Sequence, residues 1–323
     1  VRGESVRVRE LGEDALISRL REIFAIPHGR ASELLVPIGD DASVLAPSNK
    51  PLVATTDMAT ENVHFKREWS SPFEIGGKVT VANLSDIAAM GGTPKYLLIG
   101  LALTGNEDVN WVVELARGIQ ATASQANVAI VGGDVVHGES ITISIMALGE
   151  CDKPILRSGA RIGDRVVVSS LPGFSRAGMI ILERFGRDSE EARRFNECVA
   201  AHVRPKFRAS EARALQEVGA TSMCDVSDGL IIDLERLLNA SHVSVEFELD
   251  KNLLGPLNEV ADFLHEDVES LFLTSGEEHS YIATVPEGSP SEDGQIMIGR
   301  ITERRNVQEY GHNESSKSWK HWK

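Results

Sequence analysis

The sequence predicts a two-domain α/β (α+β) fold, and three observations lead there. At 323 residues the chain can build two domains with sizeable cores. Segments of helical and of strand-like period are mixed in both halves. Between the halves, Cys151 to Asp164 (CDKPILRSGARIGD) is polar and carries Pro and Gly, which marks a boundary. The expected domains are residues 1–150 and 151–323.

In the first half, Glu13 to Phe24 has apolar residues at Leu16, Ile17, Leu20, Ile23 and Phe24, the spacing of a helix. Leu34 to Leu45 contains a turn at Gly39-Asp40-Asp41. Leu52 to Met58 (LVATTDM) reads as a strand ending in hydroxyls and an acid. The central stretch is Ser71 to Gly92, with Ser71 as N-cap, Pro72 at the first helical position and Gly91-Gly92 as the stop. Between Gly76 and Met90 only Lys78 and Asp86 are charged, so this helix should be buried on most sides. Asp86 shares a face with Val79, Ala82, Asn83 and Met90, and a carboxylate there needs a cation, a dense hydrogen-bond set or a raised pKa. A helix over Asn110 to Gln125 then leads into Val128 to Val131, a turn at Gly132-Gly133-Asp134 and an alternating strand, Ser140 to Gly149.

The second half opens with a strand at Arg165 to Ser170. Helices are expected at Ser175 to Arg184, Ser189 to Ala201, Ser210 to Val218 and Leu230 to Leu238. Strands are expected at Val243 to Leu249, Tyr281 to Val285 and Gln295 to Ile301.

The net charge of −15 argues against a nucleic-acid binder, since no broad basic patch is available for phosphates. Cys151, Cys198 and Cys224 are widely spaced and suggest neither a disulfide framework nor a zinc site. The longest apolar run, Tyr96 to Leu103, is too short to span a bilayer, and the charged N-terminus lacks the apolar core of a signal peptide. A cytoplasmic protein without membrane association is expected.

Acids recur at element ends beside Gly, Ser or Thr: Asp40-Asp41, Thr55-Thr56-Asp57, Asp86, Gly132-Gly133-Asp134 and Asp225-Val226-Ser227-Asp228-Gly229. Each alone reads more readily as a turn or cap residue than as a ligand. Together they suit a hard-cation site, because Mg²⁺ is held by carboxylates and substrate phosphates. Several Mg²⁺ ions on a polyphosphate would also relieve repulsion among converging carboxylates. Neither G-x-x-x-x-G-K-[ST] nor G-x-G-x-x-G occurs, so the phosphates of ATP would rely on metal rather than on a glycine loop.

IGDDASVL, TTDMATENVHF, NLSDIAAMGGTP, GGDVVHGESITISIMALGE, RSGARIGD, DVSDGL and LTSGEE follow one another along the chain. In this order they resemble the thiamine-monophosphate kinases. The resemblance implies the two-domain fold of the aminoimidazole-ribonucleotide-synthetase-like superfamily, usually a homodimer joined through N-terminal domains. It also implies Mg²⁺-dependent transfer of the ATP γ-phosphoryl group to thiamine monophosphate. By the same resemblance, Asp40, Thr55, Thr56, Asp57, Asp86, Asp134, Asp225 and Asp228 would hold Mg²⁺ ions or their waters, with Asp57, Asp86 and Arg157 central to catalysis. Gly133, Asp134, Arg157 and Ser227 would contact ATP; His64 and Glu277 would lie near thiamine monophosphate. In the tail, SWKHWK resembles the family's G-[WY]-x-H-F, which puts Trp319 against the thiamine ring.

One segment departs from the pattern. The family's G-G-E-D-[YF]-E is here Ser275-Gly276-Glu277-Glu278-His279-Ser280, which lengthens one acid and replaces the aromatic residue by histidine. At the level of sequence this leaves open a non-catalytic nucleotide- or thiamine-phosphate-binding homologue, or another enzyme of the superfamily such as aminoimidazole ribonucleotide synthetase.

Overall fold

The computed structural model describes residues 6–27, 30–290 and 294–304. These pack as two compact units that divide after residue 152, with residues 88–91 belonging to the second.

The first unit begins with α1 (Val8–Leu11) and α2 (Glu13–Ile23), then the short antiparallel pair β1 (Leu34–Val36) and β2 (Val44–Leu45). There follow β3 (Leu52–Thr60), α3 (Pro72–Ala89), β4 (Thr93–Leu103), α4 (Val109–Gln125), β5 (Ala129–His137) and β6 (Thr142–Glu150). The four long strands form one sheet in the order β3-β6-β4-β5, in which β4 and β5 are parallel and the other pairs antiparallel. Strand alternation gives this sheet two unlike faces. Ile143, Ile145, Ala147, Ile99 and Leu101 on one face are buried, whereas Leu52, Met58, Met146 and Val136 on the other are exposed.

Helix α3 starts as expected. The backbone N–H of Ser71 donates to the Glu74 carboxylate, and the Glu74 N–H donates back to the Ser71 hydroxyl, a reciprocal cap. Ile75, Leu84 and Ile87 are fully buried, and so are the polar Thr80, Asn83 and Ser85, so the helix is enclosed on most of its circumference. It meets α4 at glycines: a Cβ on Gly118 would lie 2.0 Å from the Phe73 carbonyl oxygen, and one on Gly76 would lie 2.2 Å from that of Leu115.

The second unit contains β7 (Arg165–Val168), α5 (Phe174–Phe185), α6 (Glu190–Arg194), α7 (Asn196–Val203), α8 (Ala209–Glu217), β8 (Ser222–Asp225), α9 (Leu230–Ser241), β9 (Ser244–Phe247), α10 (Asn258–Leu264), α11 (Val268–Thr274), β10 (Tyr281–Val285) and β11 (Ile296–Thr302). Its antiparallel sheet runs β8-β10-β7-β11-β9. Val166, Val168, Cys224, Leu230, Leu234, Phe272 and Ile282 lie in its core.

The structure corrects two sequence expectations. Gly132-Gly133-Asp134 is not a turn but the middle of β5; neither glycine has positive φ, and Gly133 is needed because a Cβ would sit 2.1 Å from the Ile99 carbonyl oxygen on β4. The helix expected from Ser189 to Ala201 is two helices, broken where Phe195 leaves helical geometry and its buried ring packs on Phe263 at a centroid separation of 4.9 Å.

Substituting Gly118→Ala should force α3 and α4 apart. A loss of about 2 kcal/mol is expected from overpacking, read as a lower denaturation midpoint in urea followed by circular dichroism.

Candidate functional site

In the first unit, the candidate residues gather where β3 passes α3. The Thr55 hydroxyl donates to Asp86 Oδ2 at 2.7 Å. Two residues along the same face of the strand, the Asp57 backbone N–H donates to Asn83 Oδ1 at 3.1 Å, while the Asn83 amide is anchored on the Val79 carbonyl oxygen at 3.0 Å. Asp86 thus has the partner that its helix position demands, and its carboxylate remains half-buried. Thr56 points to the other face of β3, where its hydroxyl donates to the Ile145 carbonyl oxygen at 3.1 Å.

The neighbouring motifs are set differently. Asp40 is exposed, and its Oδ1 accepts the Asp41 N–H at 2.9 Å, an arrangement local to the Gly39 turn. The Ser43 hydroxyl donates to the Val131 carbonyl oxygen, tying this loop to β5 just before the Gly132-Gly133-Asp134 run. In the sheet register Gly133 aligns with Ile99 and Ile145, the row of Asp57. Asp134 aligns with Gly100, Ser144 and Met58, so it projects from the opposite, exposed face. His64 closes the turn after β3: its Nδ1 accepts the Thr60 N–H at 3.1 Å.

In the second unit, two loops are laced together by their backbones. The Glu277 N–H donates to the Ser227 carbonyl oxygen at 2.7 Å, those of Glu278 and His279 to that of Val226, and the Val226 N–H to that of Ser280 at 2.8 Å. Gly276 permits the close approach, since a Cβ there would stand 2.6 Å from the Ser227 carbonyl oxygen. The 225–229 loop is shaped from inside by Asp233, whose Oδ2 accepts the backbone N–H groups of Ser227, Asp228 and Gly229 at 2.9, 3.0 and 3.2 Å. Arg236 bridges Asp233 Oδ1 at 2.8 Å and Asp228 Oδ2 at 2.6 Å. Burial first, then the charges of Asp225 and Asp228, push the Asp233 carboxyl up to about 6, against the pull of the backbone donor and Arg236. Arg157 is exposed on a short 3₁₀ turn (Arg157–Gly159) whose carbonyl oxygen accepts from the Ser241 hydroxyl at 2.6 Å.

Sequence reasoning missed Asp233, Arg236 and Asn83 as positioning groups. The available signal was an acid in the first turn of α9 with an arginine three residues later, a pattern suited to a helix start. The departing segment also acquires a physical account. Glu278 is buried, and its Oε1 accepts the N–H groups of Gly173 at 2.8 Å and Ser175 at 3.0 Å, together with the Ser275 hydroxyl. It therefore caps α5 from across the fold. Burial pushes its carboxyl up, opposed by those three donors. Glu277 is half-buried, 3.4 Å from His202 Nδ1. Trp319 lies outside the described residues.

Among the described residues no three His, Cys, Asp or Glu side chains are grouped as a ready-made ligand cluster, and no helix is long and apolar enough to cross a membrane. The candidate ligands of the first unit are oxygen donors only: Thr55, Asp57 and Asp86 where β3 passes α3, Thr56 and Asp134 on the other face of the sheet, and Asp40 on the Gly39 turn. That donor chemistry fits Mg²⁺, which prefers oxygen and keeps places for water and phosphate.

Comparison with known proteins supplies the context for this geometry. The N-terminal domain model of the AIR synthase related proteins matches residues 39–151, and the C-terminal domain model matches residues 161–307. The thiamine-monophosphate kinase of Aquifex aeolicus is 33% identical over 321 residues, covering 98% of this chain and 100% of that protein. That of Corynebacterium glutamicum is 35% identical over 275 residues, covering 83% of this chain and 82% of that protein. The solved structure of AaThiL complexed with AMPPCP and TMP aligns with a TM-score of 0.73 at 31% identity, covering 92% of this chain and 93% of that one.

Replacing Glu278 separates capping from charge. Glu278→Ala leaves two helix N–H groups and a hydroxyl without their acceptor and should cost about 3 kcal/mol. Glu278→Gln, which keeps an acceptor oxygen, should cost less than half as much in the same urea denaturation.

Proposed function

This chain belongs to the thiamine-monophosphate kinases of the AIR synthase related family, and from that membership we propose that it phosphorylates thiamine monophosphate with ATP to give thiamine diphosphate and ADP. The observation that carries the reading is the Thr55–Asp86 pair beside Asp57, kept in a chain that aligns over nearly its whole length with a kinase of that name.

In the proposed reaction an oxygen of the substrate phosphate attacks the γ-phosphorus in line. A P–O bond forms to that oxygen as the bond to the β-phosphate bridging oxygen breaks, and ADP leaves with the electron pair. The attacking phosphate is already ionised, so the protein needs no covalent nucleophile and little general-base help. Mg²⁺, when bound, supplies neutralisation of the phosphate charge. On the resemblance, residues 1–150 contribute Asp40, Thr55, Thr56, Asp57, Asp86 and Asp134 to Mg²⁺ or its waters; Thr56 and Asp134 are included although the sheet register turns them to the other face. Residues 151–323 contribute Asp225 and Asp228.

For nucleotide binding we assign Gly133, Asp134, Ser227 and Arg157, whose guanidinium presents a fork of donors matched to phosphate oxygens. His64, Glu277 and Trp319 are assigned to thiamine monophosphate. His64 Nδ1 is engaged as an acceptor by Thr60, so its Nε2 is the ring nitrogen that carries the proton. We further propose a cytoplasmic homodimer. The apolar side chains exposed on one sheet face, Leu52, Met58, Met146 and Val136, support pairing through the first unit.

Thiamine diphosphate and ADP should appear in equal amounts from ATP, Mg²⁺ and thiamine monophosphate. ADP formation without thiamine diphosphate would make another acceptor the substrate. Asp57→Asn and Asp86→Asn should each reduce turnover by at least about 100-fold with circular dichroism unchanged, and full activity in both would remove the assignment. Sedimentation velocity should show a dimer that Met146→Lys shifts toward monomer.

A further inference from the structure

Helix α7 carries one polar ring among apolar side chains. His202 is 6% exposed and lies with the buried Cys198, Val199 and Val203. A buried imidazole is costly unless its ring nitrogens find partners. Packing against α5 brings them within reach. A Cβ on Gly178 would lie 2.0 Å from the Cys198 carbonyl oxygen, so the two helices meet there backbone to backbone. Ser175 stands one turn before Gly178 and His202 one turn after Cys198, which sets the imidazole beside the first turn of α5. Its Nδ1 is 3.4 Å from the Ser175 hydroxyl oxygen and 3.4 Å from Glu277 Oε2.

The two oxygens differ in kind. A hydroxyl donates and accepts, whereas a carboxylate only accepts, so Nδ1 can satisfy Glu277 only by carrying a proton. Ser175 is a fixed part of the fold: it is 1% exposed, and its backbone N–H donates to Glu278 at 3.0 Å. Glu277 is not interior in that sense, since 36% of its side chain is exposed. Its backbone is in the left-handed region, with φ +55°, and its N–H is held on the Ser227 carbonyl oxygen at 2.7 Å. Residues other than glycine adopt that region uncommonly, and it persists where surrounding contacts impose it. The loop thus fixes where the Glu277 side chain begins, and His202 stands where it ends. Between the two lie rotatable bonds whose freezing a ligand would otherwise have to offset.

We propose that His202 is a positioning residue for thiamine monophosphate: its Nδ1–H holds the Glu277 carboxylate in one orientation, presented to the cationic ring of the substrate. This rests on the assignment of Glu277 to thiamine monophosphate and adds the group that preorganises it. His202 acts through Glu277 and not on the reacting phosphates. Its loss therefore weakens binding of the acceptor and spares both ATP binding and the transfer step.

Asparagine places an amide N–H near the position of Nδ1, and glutamine near that of Nε2. In the full chain, His202→Gln should raise KM for thiamine monophosphate about tenfold, with kcat and KM for ATP within about twofold of wild type. His202→Asn should keep all three within about threefold. Ser175→Ala, on the other side of Nδ1, should lower the urea midpoint and leave KM unchanged. In a Glu277→Ala background, His202→Gln should add nothing further. A KM in His202→Asn as high as in His202→Gln, or effects of His202→Gln and Glu277→Ala that multiply, overturns the proposal. An unchanged KM in Glu277→Ala alone removes the assignment of Glu277 and the proposal with it. Calorimetric titration with thiamine monophosphate reads the same ratios if no thiamine diphosphate forms, which separates this inference from the kinase reading. Should neither His202 variant fold, ¹⁵N-histidine resonance of the wild-type protein should show a protonated Nδ1 that Glu277→Ala shifts, and an unmoved spectrum overturns the proposal.

Discussion

The hydrogen bond from the Thr55 hydroxyl to Asp86 is the interaction on which the placing of the first unit's candidate residues depends. Helix α3 is apolar or small over nearly all its surface and enclosed on most sides, so a charged group on it must be provided for from outside the helix. Strand β3 provides for it. Thr55 gives the carboxylate a donor, and two residues later Asn83 takes the Asp57 backbone N–H, so strand and helix are joined at consecutive same-face positions. Thr55 engages the Asp86 carboxylate while the residue stays half-buried, so the group is fixed in position and still reaches the solvent side of the helix.

The second unit holds its acids by backbone donors instead of a hydroxyl. Asp233 gathers three successive N–H groups of the 227–229 segment, which shapes the loop carrying Ser227 and Asp228 before any ligand arrives. Its carboxyl is pushed up because it is buried beside two other acids, and Arg236 offsets part of that repulsion by bridging Asp228 and Asp233. Ordering of this kind is free-energetically costly in isolation, and the antiparallel sheet with its apolar core beneath β8 and β10 sustains it.

How much of this was legible in the sequence depends on where the partner of each residue lies. Helix α3 was legible because its cap, its proline and its apolar run are all local, and Asp86 stood out as a charge where none should be. The run Tyr96 to Leu103 carried no such marks: a short apolar stretch does not reveal its period, and it proved to be part of β4. The glycines at 132 and 133 look the same in sequence whether they serve a turn or a close strand contact, and only the Ile99 carbonyl oxygen on the neighbouring strand decides between them. Asn83, Asp233 and Glu278 share this property. Their partners are backbone groups elsewhere in the fold, and backbone groups have no letter in a sequence.

The departing segment shows how such invisible partners alter the reading of a motif. Where the family pattern has a glycine and an aspartate, this chain has Ser275 and Glu278, and the two changes belong together: the Ser275 hydroxyl donates to the carboxylate that Glu278 extends to the start of α5. The longer acid thus reaches a helix terminus, where three donors receive it. Glu277 is half-buried beside it, with its backbone pinned to Ser227. What changes is the chemistry at the next position. With Glu278 turned into the interior, the group facing Asp225 is the buried His279 imidazole, 3.5 Å from the carboxylate, so the departure from the pattern places a histidine–aspartate pair between the two loops.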